Sequence, residues 1–252
     1  MARYESRNPT QAEYDRYDSQ RPLTGIFGTG KIRFITANET FPVPAGIDWI
    51  RVRVWGAGAN DGGAGGGFAI GEIEVAPAQE LAITVAQATG QSSSVAGEIS
   101  ATSGTSSTAG IGSGGDFQAR GGLASRNSED EPDGGGGGAG SLLGDGNKAS
   151  GHGGGERRQG RSGLSGSGGN AARDDGYGEN GILAGPLAID YIGTGPGGGA
   201  GWRSSGNQYG GHGTNGGGGG HGTSSGGDGG FPGGAGGEEG GVGAPGLVIL
   251  EW

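Results

Sequence analysis

The chain has 252 residues, 70 of them Gly and none Cys, and a formal net charge of −10. The missing Cys exclude a disulfide framework and a thiolate metal centre, and the acidic balance argues against a nucleic-acid partner, which calls for a basic footprint. Hydrophobic residues make up 30%, below the ~45–50% of an ordinary domain, so a large conventional core is not available from residue 110 onward.

Residues 1–25 are polar, with Tyr4, Tyr14 and Tyr17 among charged neighbours and no clean period. The opening stretch has no apolar h-region, so no Sec signal is expected. Residues 1–30 read as an anchoring arm with Tyr4, Tyr14, Tyr17 and Arg21 as its contacts. Residues 31–109 read as a β-rich base. Lys31–Thr36 alternates, and Phe41-Pro42-Val43-Pro44-Ala45-Gly46 is a turn signal. Asp48–Trp55 alternates strictly, with Trp49, Arg51, Arg53 and Trp55 on one face and Ile50, Val52 and Val54 on the other. That pattern predicts a half-buried strand. Phe68–Val75 and Leu81–Val85 follow as strands, and Leu247–Leu250 is a last one. It is expected to return to the first sheet, so that residues 246–252 complete the base. No run of 18 apolar residues exists, and no membrane insertion is expected.

Between these ends, residues 110–245 are dominated by Gly: 55 of the 70 lie after residue 109. They fall into short runs of period three, such as Gly210, Gly213, Gly216, Gly219, Gly222 and Gly160, Gly163, Gly166, Gly169. Three is neither the 3.6 of an α-helix nor the 2 of a strand. It is the period of the polyproline-II-type helix, which rises ~3.1 Å per residue, and Gly lets such backbones approach where a Cβ would clash. With only ten Pro and a phase that shifts repeatedly, the pattern fits a single-chain bundle better than collagen. The expected class is all-β with little or no α-helix. The phase breaks at 127–133, 171–177, 182–191 and 202–209 read as loops between rods. Tyr177, Tyr191, Trp202, Tyr209 and Phe231 are the aromatic residues in this bare setting. They are candidates either for contacts with a receptor or for small hydrophobic plugs between layers.

Motifs of catalysis and ligand binding do not hold up. Gly25 to Lys31 matches a phosphate-binding loop, but Ile32 stands where Ser or Thr would hold Mg²⁺, and a β segment follows where a helix is required. Gly56-Ala57-Gly58 follows a strand as a dinucleotide fingerprint would, but Asp61 replaces the third Gly and the next residues cannot propagate a helix. His212 and His221 repeat in Gly-His-Gly-Thr nine residues apart, ~28 Å on one continuous three-residue helix, too far for joint chelation within one chain. They remain weak metal candidates, and no cofactor is expected. Glu129, Asp130, Glu131 and Asp133 lack calcium-loop spacing and read as a solvated acidic loop. No nucleophile elbow or paired carboxylates can be argued, so no enzyme is expected.

Several segments together resemble a known group. They are Phe41 to Gly46, then Ile50-Arg51-Val52-Arg53-Val54-Trp55-Gly56-Ala57-Gly58, the Gly tract, and Gly246-Leu247-Val248-Ile249-Leu250-Glu251-Trp252. Over about residues 41–252 this resembles the glycine-rich domain of tailed-bacteriophage tail-fibre and virion-appendage proteins. The resemblance implies a β-sandwich-like base and a polyglycine-II bundle displaying receptor-binding loops. It also implies a virion location, other virion proteins as partners of the arm, a host-surface glycan or outer-membrane protein as receptor, and a homotrimer. The chain departs from such adhesins in its N-terminal arm and in Ala59-Asn60-Asp61, which leaves a purely structural virion protein (a head fibre, decoration or joint) as the alternative.

Overall fold

In the computed structural model of the chain, the described residues are 30–124, 135–149, 210, 212–213, 215–220 and 224–252, with the backbone alone at 172–173 and 201–202. Twelve strands occur among them, and no helix. The alternation over β3 (Trp49–Trp55) does what period two dictates: it sends Ile50, Val52 and Val54 to one side, all fully buried. β3 lies in a five-stranded antiparallel sheet between β12 (Leu247–Glu251) and β4 (Phe68–Glu74), with β1 (Ile32–Ile35) and β9 (Phe117–Ala119) at its edges. A second five-stranded antiparallel sheet runs β2 (Glu39–Pro42), β5 (Glu80–Thr84), β6 (Ser92–Val95), β7 (Ile99–Thr102), β8 (Gly112–Ser113). A separate two-stranded ribbon pairs β10 (Ala172–Arg173) with β11 (Gly201–Trp202) in parallel.

The two large sheets face each other across one apolar cluster. Ile35, Ile50, Val52, Val54, Ile73, Val248 and Leu250 come from the first sheet, and Phe41, Leu81, Ile83, Val95 and Ile99 from the second. This is a β-sandwich. Trp252 closes its rim, with its ring 5.1 Å from that of Phe41. The last strand does return to the first sheet, and it enters the middle rather than an edge. Leu247 to Glu251 pair with Trp55 to Arg51 on one side, and Val248 to Glu251 with Ile35 to Ile32 on the other.

β3 departs from the half-buried expectation. The face carrying Arg53 and Trp55 is covered as well: Trp55, Phe68, Leu247 and Ile249 form a second cluster with Ala139 and Leu142 of the Gly-rich chain. Only Trp49, at the far end, stays exposed. Arg53 is thereby buried at 3% exposure beside Glu251 at 1%, Nε to Oε1 2.8 Å, while Arg51 next along reaches Glu72 at 3.0 Å. A buried pair gains little over a well-packed apolar one, but removing one member strands the other in a low dielectric. Glu251→Leu alone is therefore expected to destabilise by about 3–5 kcal/mol, and Arg53→Met with Glu251→Leu to recover most of that loss. Thermal melts of the single and double variants check it.

Beyond the sheets, the backbone hydrogen bonds follow a period of three. Successive N–H groups of Gly136, Gly137 and Gly138 donate to Gly219, Gly63 and Asn147, three different segments. Ala139 and Gly140 then return to the first two, at Gly216 and Gly66. Elsewhere Gly226 and Gly229 donate to Glu239 and Val242, while Gly227 and Gly230 donate to Gly220 and Gly217. When the donor advances by three the acceptor moves by three, forward in parallel neighbours and backward in antiparallel ones. Residues 56–67 and 103–110 join this lattice from within the base, so the sandwich and the described Gly-rich residues share backbone bonds.

Most of the described Gly in the lattice are there for space. A Cβ at Gly58 would sit 2.1 Å from the Gly234 carbonyl oxygen, and one at Gly65 would sit 2.0 Å from that of Gly138. The Gly56 and Gly58 of the apparent dinucleotide fingerprint thus make close backbone contacts, with no helix after them. Lys31, which ends the apparent phosphate loop, is bonded to Trp252 in both directions at 3.0 Å.

Candidate functional site

A lattice of bare backbone has a problem at its border: an outermost rod has amide donors with no further rod to accept them. Three neighbouring parallel segments meet this problem on one face. Gly210 and Gly213 donate to Ser225 and Asp228, and Gly226 and Gly229 donate to Glu239 and Val242, which orders the described residues 210 and 212–213 and the segments 225–231 and 239–245 side by side. Along each, the residues that carry large side chains recur every third position: Ser225, Asp228, Phe231 on one and Glu239, Val242, Pro245 on the next. His212 and Asn215 occupy the same phase on the first. The Gly between them are mostly buried.

These side chains cap the border. Asp228 Oδ1 accepts the Val242 N–H at 2.9 Å, and His212 Nδ1 accepts the Asp228 N–H at 2.9 Å. On the adjoining turn Asn60 Oδ1 accepts from Gly243 at 2.8 Å and Asp61 Oδ1 from Gly240 at 3.1 Å. Asp145 does the same for Arg120 at 2.8 Å on another side. The device is the helix N-cap transposed to a Gly lattice: a short polar side chain satisfies a backbone donor its neighbours cannot reach. A ring nitrogen that accepts a hydrogen bond carries no proton of its own. The nitrogen nearest the carboxylate of Asp228, 3.3 Å from Oδ2, is thereby committed to the backbone. Among the described residues no three His, Cys, Asp or Glu converge as a metal site would require.

Phe231 stands on this face 42% exposed, one repeat beyond Asp228, and Val242 is exposed on the neighbouring segment. Of the other aromatic candidates, Trp202 is described by its backbone alone, in register with Arg173 across the β10–β11 ribbon. Tyr177, Tyr191 and Tyr209 lie outside the described residues, as do His221 and the arm candidates Tyr4, Tyr14, Tyr17 and Arg21. The acidic cluster at 129–133 lies outside them too. Sequence reasoning missed Asn60, Asp61, Asp145 and Asp228. Their signal was available in one respect: Asp228 shares the phase of Ser225 and Phe231 while Gly fills most of the other positions.

The family model of the glycine-rich domain matches residues 35–252, from the end of β1 to the last residue of the chain. The chain belongs to the glycine-rich domain family. The matched span takes in nearly all of the sandwich, the capped face and the returning strand β12, so the glycine-rich domain comprises base and lattice together. No curated protein matches the chain in sequence. Among the described residues no helix is long and apolar enough to cross a membrane.

Proposed function

We propose that this glycine-rich domain protein is a virion appendage of a tailed bacteriophage, a tail-fibre or tip protein that contacts the host surface and catalyses nothing. The arm of residues 1–30 attaches it to other virion proteins, and the receptor is a surface glycan or outer-membrane protein. One observation carries the reading most: among the described residues the hydrogen-bonded lattice ends in a face with side chains at every third residue, among them the exposed Phe231, one repeat beyond Asp228, and the exposed Val242. A period of three in the donors is what packed three-residue helices give, which supports the polyglycine-II form of the bundle. Side chains and loops held on such a support lose little conformational freedom on binding, which is what an attachment surface gains from rigidity.

The test uses fluorescently labelled full chain on bacterial cells, with virions as competitor. Phe231→Ala, Trp202→Ala and Tyr209→Ala are expected to weaken cell binding tenfold or more with unchanged melting temperature. Lowered melting with retained binding would assign the aromatics to packing instead. A chain that labels virions but binds no cell surface would favour the structural alternative, and a chain absent from virions would overturn both.

A further inference from the structure

Among the described residues β1 is an edge strand of the first sheet with no neighbour on its outer side. β1 bonds to β12 through Lys31, whose N–H and C=O both engage Trp252 at 3.0 Å. In an antiparallel ladder, inward-bonding and outward-facing residues alternate. Arg33 and Ile35, opposite Leu250 and Val248, therefore bond inward, and the N–H and C=O groups of Ile32 and Phe34 face outward along the edge. The same two residues leave their side chains 44% and 55% exposed on the outer face of the sheet. The remaining edges are guarded differently: β9 has three residues, β8 two, and β2 ends in Pro42, which cannot donate.

We propose that β1 pairs antiparallel with β1 of a second copy, about a two-fold axis through Arg33, so that the first sheet continues across the dimer. This does not depend on the proposed function. In that register Ile32 lies opposite Phe34 of the second copy and Phe34 opposite Ile32, so the outward donors and acceptors of both residues are matched. The four exposed apolar side chains form two cross-strand pairs on one face, the arrangement that stabilises sheets. The other face brings the two Arg33 side chains together. Each comes with its own carboxylate, Glu39 at 3.0 Å, so the pair meets as an alternating quartet rather than as two bare cations. An edge used this way makes a closed isologous contact, hence a dimer and not the trimer the family resemblance implies.

Sedimentation of the full chain at about 0.15 M ionic strength, where long-range repulsion between acidic copies is screened, is expected to give twice the 24.4 kDa chain mass. Phe34→Lys is expected to weaken the dimer at least tenfold without lowering the melting temperature of the monomer. Hydrogen exchange provides an independent readout: the Ile32 and Phe34 amides are expected to be protected in a concentration-dependent way, and to lose that protection in Phe34→Lys. A monomer or trimer would overturn the proposal, as would a dimer that survives Phe34→Lys with both amides unprotected. A monomer whose Ile32 and Phe34 amides lose protection when residues 2–29 are deleted would give the edge to the N-terminal segment, and would overturn it too.

Discussion

Truncation after Gly246 is expected to abolish the folded base, not merely to weaken it. β12 supplies Val248 and Leu250 to the inter-sheet core and Leu247 and Ile249 to the cluster beneath the lattice, and Trp252 follows against Phe41. Full burial of each such aliphatic side chain stabilises by roughly 1.5–3 kcal/mol, so together they rival the whole ~5–15 kcal/mol by which a domain is stable. Among the described strands it alone links β1 to β3 within the sheet. Its loss opens two ladder edges at once and leaves the buried Arg53 without Glu251. The truncated chain should show no cooperative thermal transition and no protected amides in β3. The graded version is Leu250→Ala, expected to cost about 2–5 kcal/mol as a large-to-small core change. A truncated chain that melts cooperatively would mean that β1 and β3 close on each other without the strand.

The central position of β12 also explains how the two parts of the molecule hold together. The sheet is complete only when the chain has passed through the Gly-rich part and come back. The returning segment bonds to the base before it becomes a strand: Gly58 and Asp61 donate to Ala244 and Gly241, and Gly246 donates to Ala86. The lattice therefore sits between two covalent attachments to one sandwich. Its stability is tied to that of the base, and side chains on its border are held relative to the base by backbone bonds.

The sequence was legible where side-chain pattern reflects burial. β1, β3, β4, β5 and β12 all carry alternating or continuous large apolar residues, and each lies within a residue or two of its expected place. β6 and β7 escaped because their outward positions are Ser and Thr and their inward ones include Ser93, with only Val95, Ile99 and Ala101 apolar. Their signal was instead the tight turn between them, with Ala96 and Gly97 both at positive φ. β2 was hidden in what reads as a Pro-rich turn, because an edge strand tolerates Pro42 on its open side. The Gly phase gave no sign of where the described lattice ends. Capping by Asp228, Asn60 and Asp61 depends on which segments are neighbours, and that is set by long-range bonds between residues up to 183 apart. The burial of Arg53 was illegible for the same reason: alternation shows which face a residue takes, but not that Ala139 and Leu142 come to cover it.

Gly65→Ala is expected to be among the most damaging single-methyl additions in the molecule, by an amount that backbone conformation alone does not explain. Gly65 has no positive φ, so Ala is conformationally allowed there. In a helix or strand interior such a change would even favour the folded state by roughly 0.5–1 kcal/mol. Here the new Cβ would lie 2.0 Å from the Gly138 carbonyl oxygen and 2.5 Å from its carbon. Those atoms belong to a rod that is itself bonded to Gly122 and Asn147, so they cannot move aside without breaking other bonds. Relief must come from separating the rods, which disrupts Gly65 to Gly122 at 2.9 Å and Gly122 to Gly138 at 2.7 Å together. With each net backbone bond worth ~0.5–1.5 kcal/mol and each stranded buried donor costing ~1–3 kcal/mol, a loss of several kcal/mol follows. Gly46→Ala is the control: its φ is +77°, but nothing lies within 4 Å of the new methyl, so only the ~1–2 kcal/mol left-handed penalty applies. Melting temperatures of the two variants decide the matter. If Gly46→Ala proves the more harmful, the Gly of the lattice serve backbone freedom rather than close approach, and the contact-based account of the lattice fails.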